Sequence, residues 1–264
     1  MNKYENAVII SIVVMLVLFG SFITIFLIGQ RKKLKHQEEL QTLRETQQNQ
    51  LIEAAIRSEE IERHRIAEQL HDEVGAILSS SKLHIQGINI NHLDERDKEL
   101  HTKGKELLDE GIQKVRGISH NLHSNILKEF GLNEAIMHFV KNLITGTIIH
   151  SEISLDENYT TKNPENDMSI YRMVQELINN ILKHSHATKM KITSVFLNDQ
   201  LDITIVHDGT GLSQEQFETL RYNKDGLGLK NIENRIILLR GKLKFVKETN
   251  ENSIFIEIPV NTPV

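Results

Sequence analysis

Residues Arg63 to Ala76 read RHRIAEQLHDEVGA, and a histidine and an aspartate, His71 and Asp72, stand side by side just off the apolar stripe of a long helical stretch. Such a pair serves as a solvated surface pair, as two metal ligands, or as a nucleophile beside its base. In the last case a neutral imidazole nitrogen attacks an electrophile while the carboxylate orients the ring and takes its proton. The pair alone does not choose among the three.

A second set lies in QELINNILKHS, where Glu176, Asn180, Lys183 and His184 stand at i, i+4, i+7 and i+8 and so share one helix face. Leu177, Ile178, Ile181 and Leu182 fall largely on the other side. A polar stripe of this kind ordinarily faces solvent. Its makeup also suits a nucleotide: Asn180 offers a neutral oxygen to Mg²⁺, Lys183 and His184 suit phosphate oxygens, and Glu176 can hold a water or orient the amide. Next, DGTGL follows an alternating strand. Asp208 at the strand end can accept from an adenine amino group, and Gly209 and Gly211 remove Cβ atoms that would keep the backbone from a flat base. Asp and Gly cluster in ordinary turns as well. Finally, in DGLGLKNIENRI, Gly226, Leu227, Gly228 and Leu229 open a helix whose free amides suit an anion, or simply form a capping turn. The chain has no G-x-x-x-x-G-K-[ST] loop, and no strand directly precedes these glycines as a dinucleotide fingerprint requires.

In this order and at these short intervals, the segments resemble the sensor histidine kinases of the two-component class. The subclass is the one whose acceptor motif reads E-R-x-R-I-A-x-x-L-H-D, here ERHRIAEQLHD from Glu62 to Asp72, and the three later segments are similar to the family's N, G1 and G2 boxes. The resemblance runs from about Glu62 to Pro259. It implies a GHKL (Bergerat-type) ATPase domain and transfer of the ATP γ-phosphoryl group to His71, with Asp72 as base and orienter and Glu176 in the catalytic set. ATP would be held by Asn180, Lys183, His184, Asp208, Gly209, Gly211, Gly226, Leu227, Gly228 and Leu229, with Mg²⁺ at Asn180. The implied partner is a response regulator with a receiver domain and a helix-turn-helix output. Arg63 or Arg65 would steady the phosphohistidine, or else be exposed stalk charges. Two positions depart from the family. Ala76 stands where many members carry a glutamine thought to hold a water for dephosphorylating the regulator, and Ser124 stands where proline is common. Two competing readings remain: an ATPase used as a conformational clamp without phosphotransfer, and a membrane-anchored scaffold with no enzymatic activity.

The elements that must position these groups are legible in outline. The 264 residues carry a net charge of −5 and no cysteine, which excludes disulfides, thiolate zinc sites and cysteine catalysis and gives no sign of direct nucleic-acid binding. Histidines at 120, 123, 184 and 186 have no third ligand at a zinc spacing. Ala7 to Gly29 contains no charged residue and is long enough to cross a hydrocarbon core of roughly 30 Å. RKKLK follows it, which predicts a single-pass inner (cell) membrane protein, N-terminus outside and the remainder cytoplasmic. Residues 1–6 are then a short outer tail, 7–29 a transmembrane helix and 30–58 a thin-seamed helical stalk. Residues 59–125 read as a helical hairpin, its first helix seamed by Leu70, Val74, Ile77, Ser81, His84 and Ile88. Asp94 is the candidate N-cap of the second, which carries Leu100, Gly104, Leu107, Gly111, Val115, Ile118 and Leu122. A hairpin cannot bury both faces alone, so a homodimeric four-helix bundle is expected. Residues 126–146 read as a linker helix, and 147–264 as a compact two-layer α+β domain with a mixed or antiparallel sheet under helices on one face. The fold class is therefore multidomain.

Overall fold

The structure, a computed structural model, describes residues 3–92, 94–122, 125–145, 147–222, 227–249 and 251–260; for residues 3–11, 13, 14, 17, 91 and 120 it describes the backbone alone. The chain divides into two compact units, Met1–Ile52 and Glu53–Val264.

The first unit is helical. Helix α1 runs from Lys3 to Gln69, and its Glu-, Gln- and Leu-rich stretch from His36 to Gln69 contains neither glycine nor proline. Within it, Ser21 and Thr24 donate their hydroxyls to the carbonyls of Leu18 and Gly20 (both 2.8 Å). Among the described residues no helix is long and apolar enough to cross a membrane. Within the expected span 7–29, the side chains of residues 7–11, 13, 14 and 17 lie outside the described set.

In the second unit, α1 passes through a single π-turn, Leu70–Val74, into α2, Gly75–Gln86. After a short 3₁₀ turn the chain reverses into α3, Glu95–Leu122. Asp94 caps α3 as expected, its carboxylate accepting from the Asp97 amide at 2.8 Å. Helices α2 and α3 form the hairpin. One face of α3 turns inward at Ile112 and Ser119, and the Ser119 hydroxyl donates to the Ala67 carbonyl at 3.0 Å. The other apolar face stays bare: Ile77, Leu83, Ile88, Leu100, Leu107 and Ile118 are exposed.

Helix α4, Asn125–Ile144, is bent at Gly131, whose φ of 82° is a left-handed value that only glycine takes without strain. Its segment was expected to act as a linker. Instead its apolar face, Leu132, Ile136, Phe139 and Val140, joins the core of the α/β layer against α5, Pro164–His184. Asn163 caps α5, its side chain accepting from the Glu165 and Asn166 amides, with Pro164 in the first turn.

Strands β1 (His150–Ser154), β2 (Lys189–Leu197), β3 (Gln200–His207), β4 (Lys242–Lys247) and β5 (Asn252–Pro259) form one sheet in the order β1-β2-β3-β5-β4. Only β1–β2 is parallel, so the sheet is mixed. Its inward face alternates strictly. Leu201, Ile203 and Ile205 of β3 stand opposite Ile258, Ile256 and Ile254 of β5, and all are buried. Among the described residues two helices lie between β3 and β4: α6, Gln214–Leu220, and α7, Leu227–Leu238. The Ser213 hydroxyl and the Gln216 side chain close a reciprocal capping box on α6.

Candidate functional site

His71 lies inside the π-turn, where the Gly75 amide reaches back to the Leu70 carbonyl. Single π-turns of this kind concentrate at functional positions. The His71 Nδ1 and Asp72 Oδ1 are 2.9 Å apart, and the two side chains are 71% and 76% exposed. A carboxylate only accepts, so Nδ1 carries the proton and the lone pair of Nε2 is left available to an electrophile. Arg63 is engaged by Glu59 (Nε–Oε1 2.9 Å), and Arg65 by Glu62 and Gln69. Both guanidinium groups thus pair within their own helix. Ala76 is exposed one turn after Asp72.

The second cluster forms where α5, the end of β3 and the start of α7 converge. Glu176, Asn180, Lys183 and His184 do share one face, and all four line a cavity of about 540 Å³ together with Gly211, Gly228 and Leu229. That volume lies within the range of small-molecule sites. A Cβ at Gly228 would overlap the Glu176 carboxylate, so the absent side chain is what lets α5 and α7 approach. The site fits a nucleotide: a polar helix face with one amide and one ammonium group meets the start of α7, above an apolar floor of Leu177, Ile181 and Ile254. Leu227 is exposed and does not line the cavity; Gly226, with His123 and Ser124, lies outside the described residues.

Asp208 stands at the end of β3, and its carboxylate is engaged within the protein. The Asp208 carboxylate accepts from the Thr188 amide (2.7 Å), the Thr188 hydroxyl (2.6 Å) and the Lys189 amide (2.9 Å). These bonds draw its pKa down to about 2. It ties β3 to the start of β2 and is not among the cavity-lining residues. A Cβ at Gly209 would strike the Ser185 carbonyl and the Ala187 amide, and one at Gly211 would strike Asn252. These glycines first make room for protein. The residues lining the cavity here include His207, Thr210, Gly211 and Asn252. Strand parity held the signal: Leu201, Ile203, Ile205 and His207 share one face, and Asp208 starts the turn.

Residues 165–262 match the family model of histidine kinase-, DNA gyrase B- and HSP90-like ATPases. Residues 62–127 match a second model, described as histidine kinase. The two matches bracket His71 and the nucleotide-sized cavity. The chain belongs to the histidine kinases.

Curated relatives agree. The sensor histidine kinase MctS of Rhizobium johnstonii is 26% identical over 196 residues, covering 73% of this chain and 42% of that protein. The histidine-protein kinase/phosphatase DegS of Brevibacillus brevis is 26% identical over 217 residues (78% and 53%). The oxygen sensor histidine kinase NreB of Staphylococcus carnosus is 26% identical over 222 residues (81% and 60%). This histidine kinase thus spans 42% to 60% of the lengths of these three relatives. Neither His71 nor Asp72 is among the described residues lining the cavity, so the His71–Asp72 pair and the cavity are separate places in this arrangement.

Proposed function

We propose that this histidine kinase takes the γ-phosphoryl group of ATP onto His71 and passes it to an aspartate in the receiver domain of a separate response regulator, one with a helix-turn-helix output. The observation that carries the reading is the Nδ1–Asp72 bond, which directs the unprotonated Nε2 outward. The Nε2 lone pair attacks the γ-phosphorus, the bond to the β–γ bridging oxygen breaks, and ADP leaves. Asp72 holds the Nδ1 proton through the step and offsets the charge gained by the ring. Lys183 and His184 face the phosphates, and Glu176 orients Asn180. Asn180 would hold Mg²⁺ together with the nucleotide, and the ion would supply positive charge against the transferring group.

The bare apolar faces of α2 and α3 support a homodimer paired into a four-helix bundle. The uncharged run from Ala7 to Gly29, with the Ser21 and Thr24 hydroxyls bonded within the helix, supports a single inner-membrane span with the N-terminus outside. RKKLK supports the cytoplasmic placement of the rest.

Incubated with labelled ATP, the purified chain is expected to gain acid-labile, base-stable phosphate, and His71→Gln to gain none. The separation of His71 from the nucleotide cavity favours one alternative, an ATP-driven clamp without phosphotransfer. Steady ATP turnover with no phosphoprotein would decide for it.

A further inference from the structure

A second cavity, of about 740 Å³, shares no lining residue with the first. It lies between the Glu53–Glu60 stretch of α1, the bend of α4, the start of α5 and the end of α7, with Ile56, Leu127, Leu132, Met168 and Leu239 in its wall. Its volume is that of a small-molecule site. Two further wall residues are charged and almost fully buried, Asp167 at 1% and Arg235 at 3% exposure. Each is only half engaged. Asp167 Oδ1 accepts from the Tyr159 hydroxyl at 2.5 Å, and Arg235 Nη2 donates to Glu59 at 2.9 Å. Asp167 Oδ2 and Arg235 Nη1 have no hydrogen-bond partner among the described residues. A buried charged atom left unpaired is costly, and two of them in the wall of one ligand-sized cavity mark where an occupant completes the bonding.

The two ends ask for opposite chemistry. Around Arg235, the guanidinium groups of Arg63, Arg172 and Arg235 share two carboxylates, those of Glu59 and Glu60, so one positive charge stands in surplus. That end suits a carboxylate, which forms strong charge-assisted bonds to a guanidinium. Asp167, on the first turn of another helix, only accepts and so suits an N–H or O–H. A second carboxylate there would be repelled, and an ammonium would bring another ion against a largely apolar wall at a desolvation cost. The rim charges Glu53, Arg57, Lys128, Glu129 and Glu165 are exposed to water and screened. We propose that this cavity is a second ligand site, for a small apolar carboxylate that carries a neutral N–H or O–H donor away from its charge. The carboxylate meets Arg235 Nη1 and the donor meets Asp167 Oδ2. Such an occupant touches α1 at Ile56 and α7 at Arg235, the two helices that the Glu59–Arg235 pair already joins. The site is independent of the nucleotide reading above.

The test is titration of the full chain in lipid nanodiscs, observed through methyl-labelled methionine. The probes are indole-3-propanoate, its N-methyl form, which lacks the donor, and 3-methylindole, which lacks the carboxylate. Indole-3-propanoate is expected to move the Met168 methyl signal saturably and to leave in place that of Met190, which is buried and does not line the cavity. Each truncated probe is expected to bind about tenfold more weakly. Asp167→Ala is expected to bring indole-3-propanoate and its N-methyl form within about twofold of each other. Thermal unfolding of that variant without probe shows whether it folds; if it does not, the wild-type ranking decides alone. No saturable movement of Met168 would mean that water alone meets the two atoms, and would overturn the proposal. So would equal affinities for the three probes, or a donor preference that survives in folded Asp167→Ala.

Discussion

Arg172 of α5 closes a two-pronged ion pair with Glu60 of α1, Nε to Oε2 at 2.9 Å and Nη2 to Oε1 at 2.5 Å, joining residues 112 positions apart in the chain. The same guanidinium donates to the carbonyls of Asn121 and Leu122 at the end of α3 and to the Gln175 side chain. Arg235 of α7 adds a parallel pair to Glu59 at 2.9 Å. The helices that carry the nucleotide cavity are thereby fastened to the helix that carries His71, about three turns upstream of it.

Glu60→Ala strands the Arg172 charge in a site where the arginine side chain is only 3% exposed. Removing one partner of such a pair costs more than the pair contributes, here about 2 kcal/mol after discounting the partly exposed glutamate. The thermal unfolding midpoint of the chain is expected to shift down, with Glu60→Gln recovering part of the loss. An unchanged melting temperature would show that the carbonyl bonds suffice for Arg172.

Two glycines of the site should respond differently to alanine. At Gly209 the new Cβ meets backbone atoms of Ser185 and Ala187, so the fold must strain, by about 1–3 kcal/mol. At Gly228 it meets only the Glu176 carboxylate, the far end of a side chain that can swing away. Gly228→Ala is therefore expected to melt near wild type yet bind ATP about tenfold more weakly, as a displaced Glu176 fills the cavity. Equal loss of stability in the two variants would contradict this division.

The Asp208 carboxylate, held near a pKa of about 2 by its bonds to Thr188 and Lys189, makes stability pH-dependent. Its folded pKa lies below the unfolded value of about 3.9, so its contribution is fully present above that value and disappears as pH falls toward 2. Denaturant unfolding of Asp208→Asn should therefore show a deficit at pH 6 that closes on acidification. A deficit independent of pH would mean that the charge is not what those donors hold.

Much of this was legible in the sequence. The period of four and three residues placed α2 and α3, Asp94 marked the start of α3, and alternation placed β3, because each is a local pattern. The helix face of Glu176, Asn180, Lys183 and His184 was legible for the same reason, and all four do line one cavity. The bonds that hold Asp208 left no local signal, because its Thr188 and Lys189 donors lie about twenty residues away. The π-turn at His71 and the Arg172–Glu60 pair left no local signal, since the first is a one-residue irregularity in a helical pattern and the second joins distant segments.

Ala76 sits on the exposed turn just after Asp72, and alanine cannot hold a water against a bound regulator. Dephosphorylation of the phosphorylated regulator by the wild type is expected to be weak. Ala76→Gln is expected to speed it by about tenfold or more, the scale of a positioned general-base water. This is measured as loss of labelled phosphate from the regulator with ATP absent. Rapid dephosphorylation by the wild type would show that another group positions the water.

The central claim is that His71 accepts the phosphoryl group through the nitrogen turned away from Asp72. Phosphorus NMR of the chain after brief exposure to ATP, with nitrogen-15-labelled histidine, measures this directly. One phosphoramidate signal coupled to Nε2 of His71, absent in His71→Gln, is the predicted result. A signal coupled to Nδ1, or one that survives in His71→Gln, would contradict it.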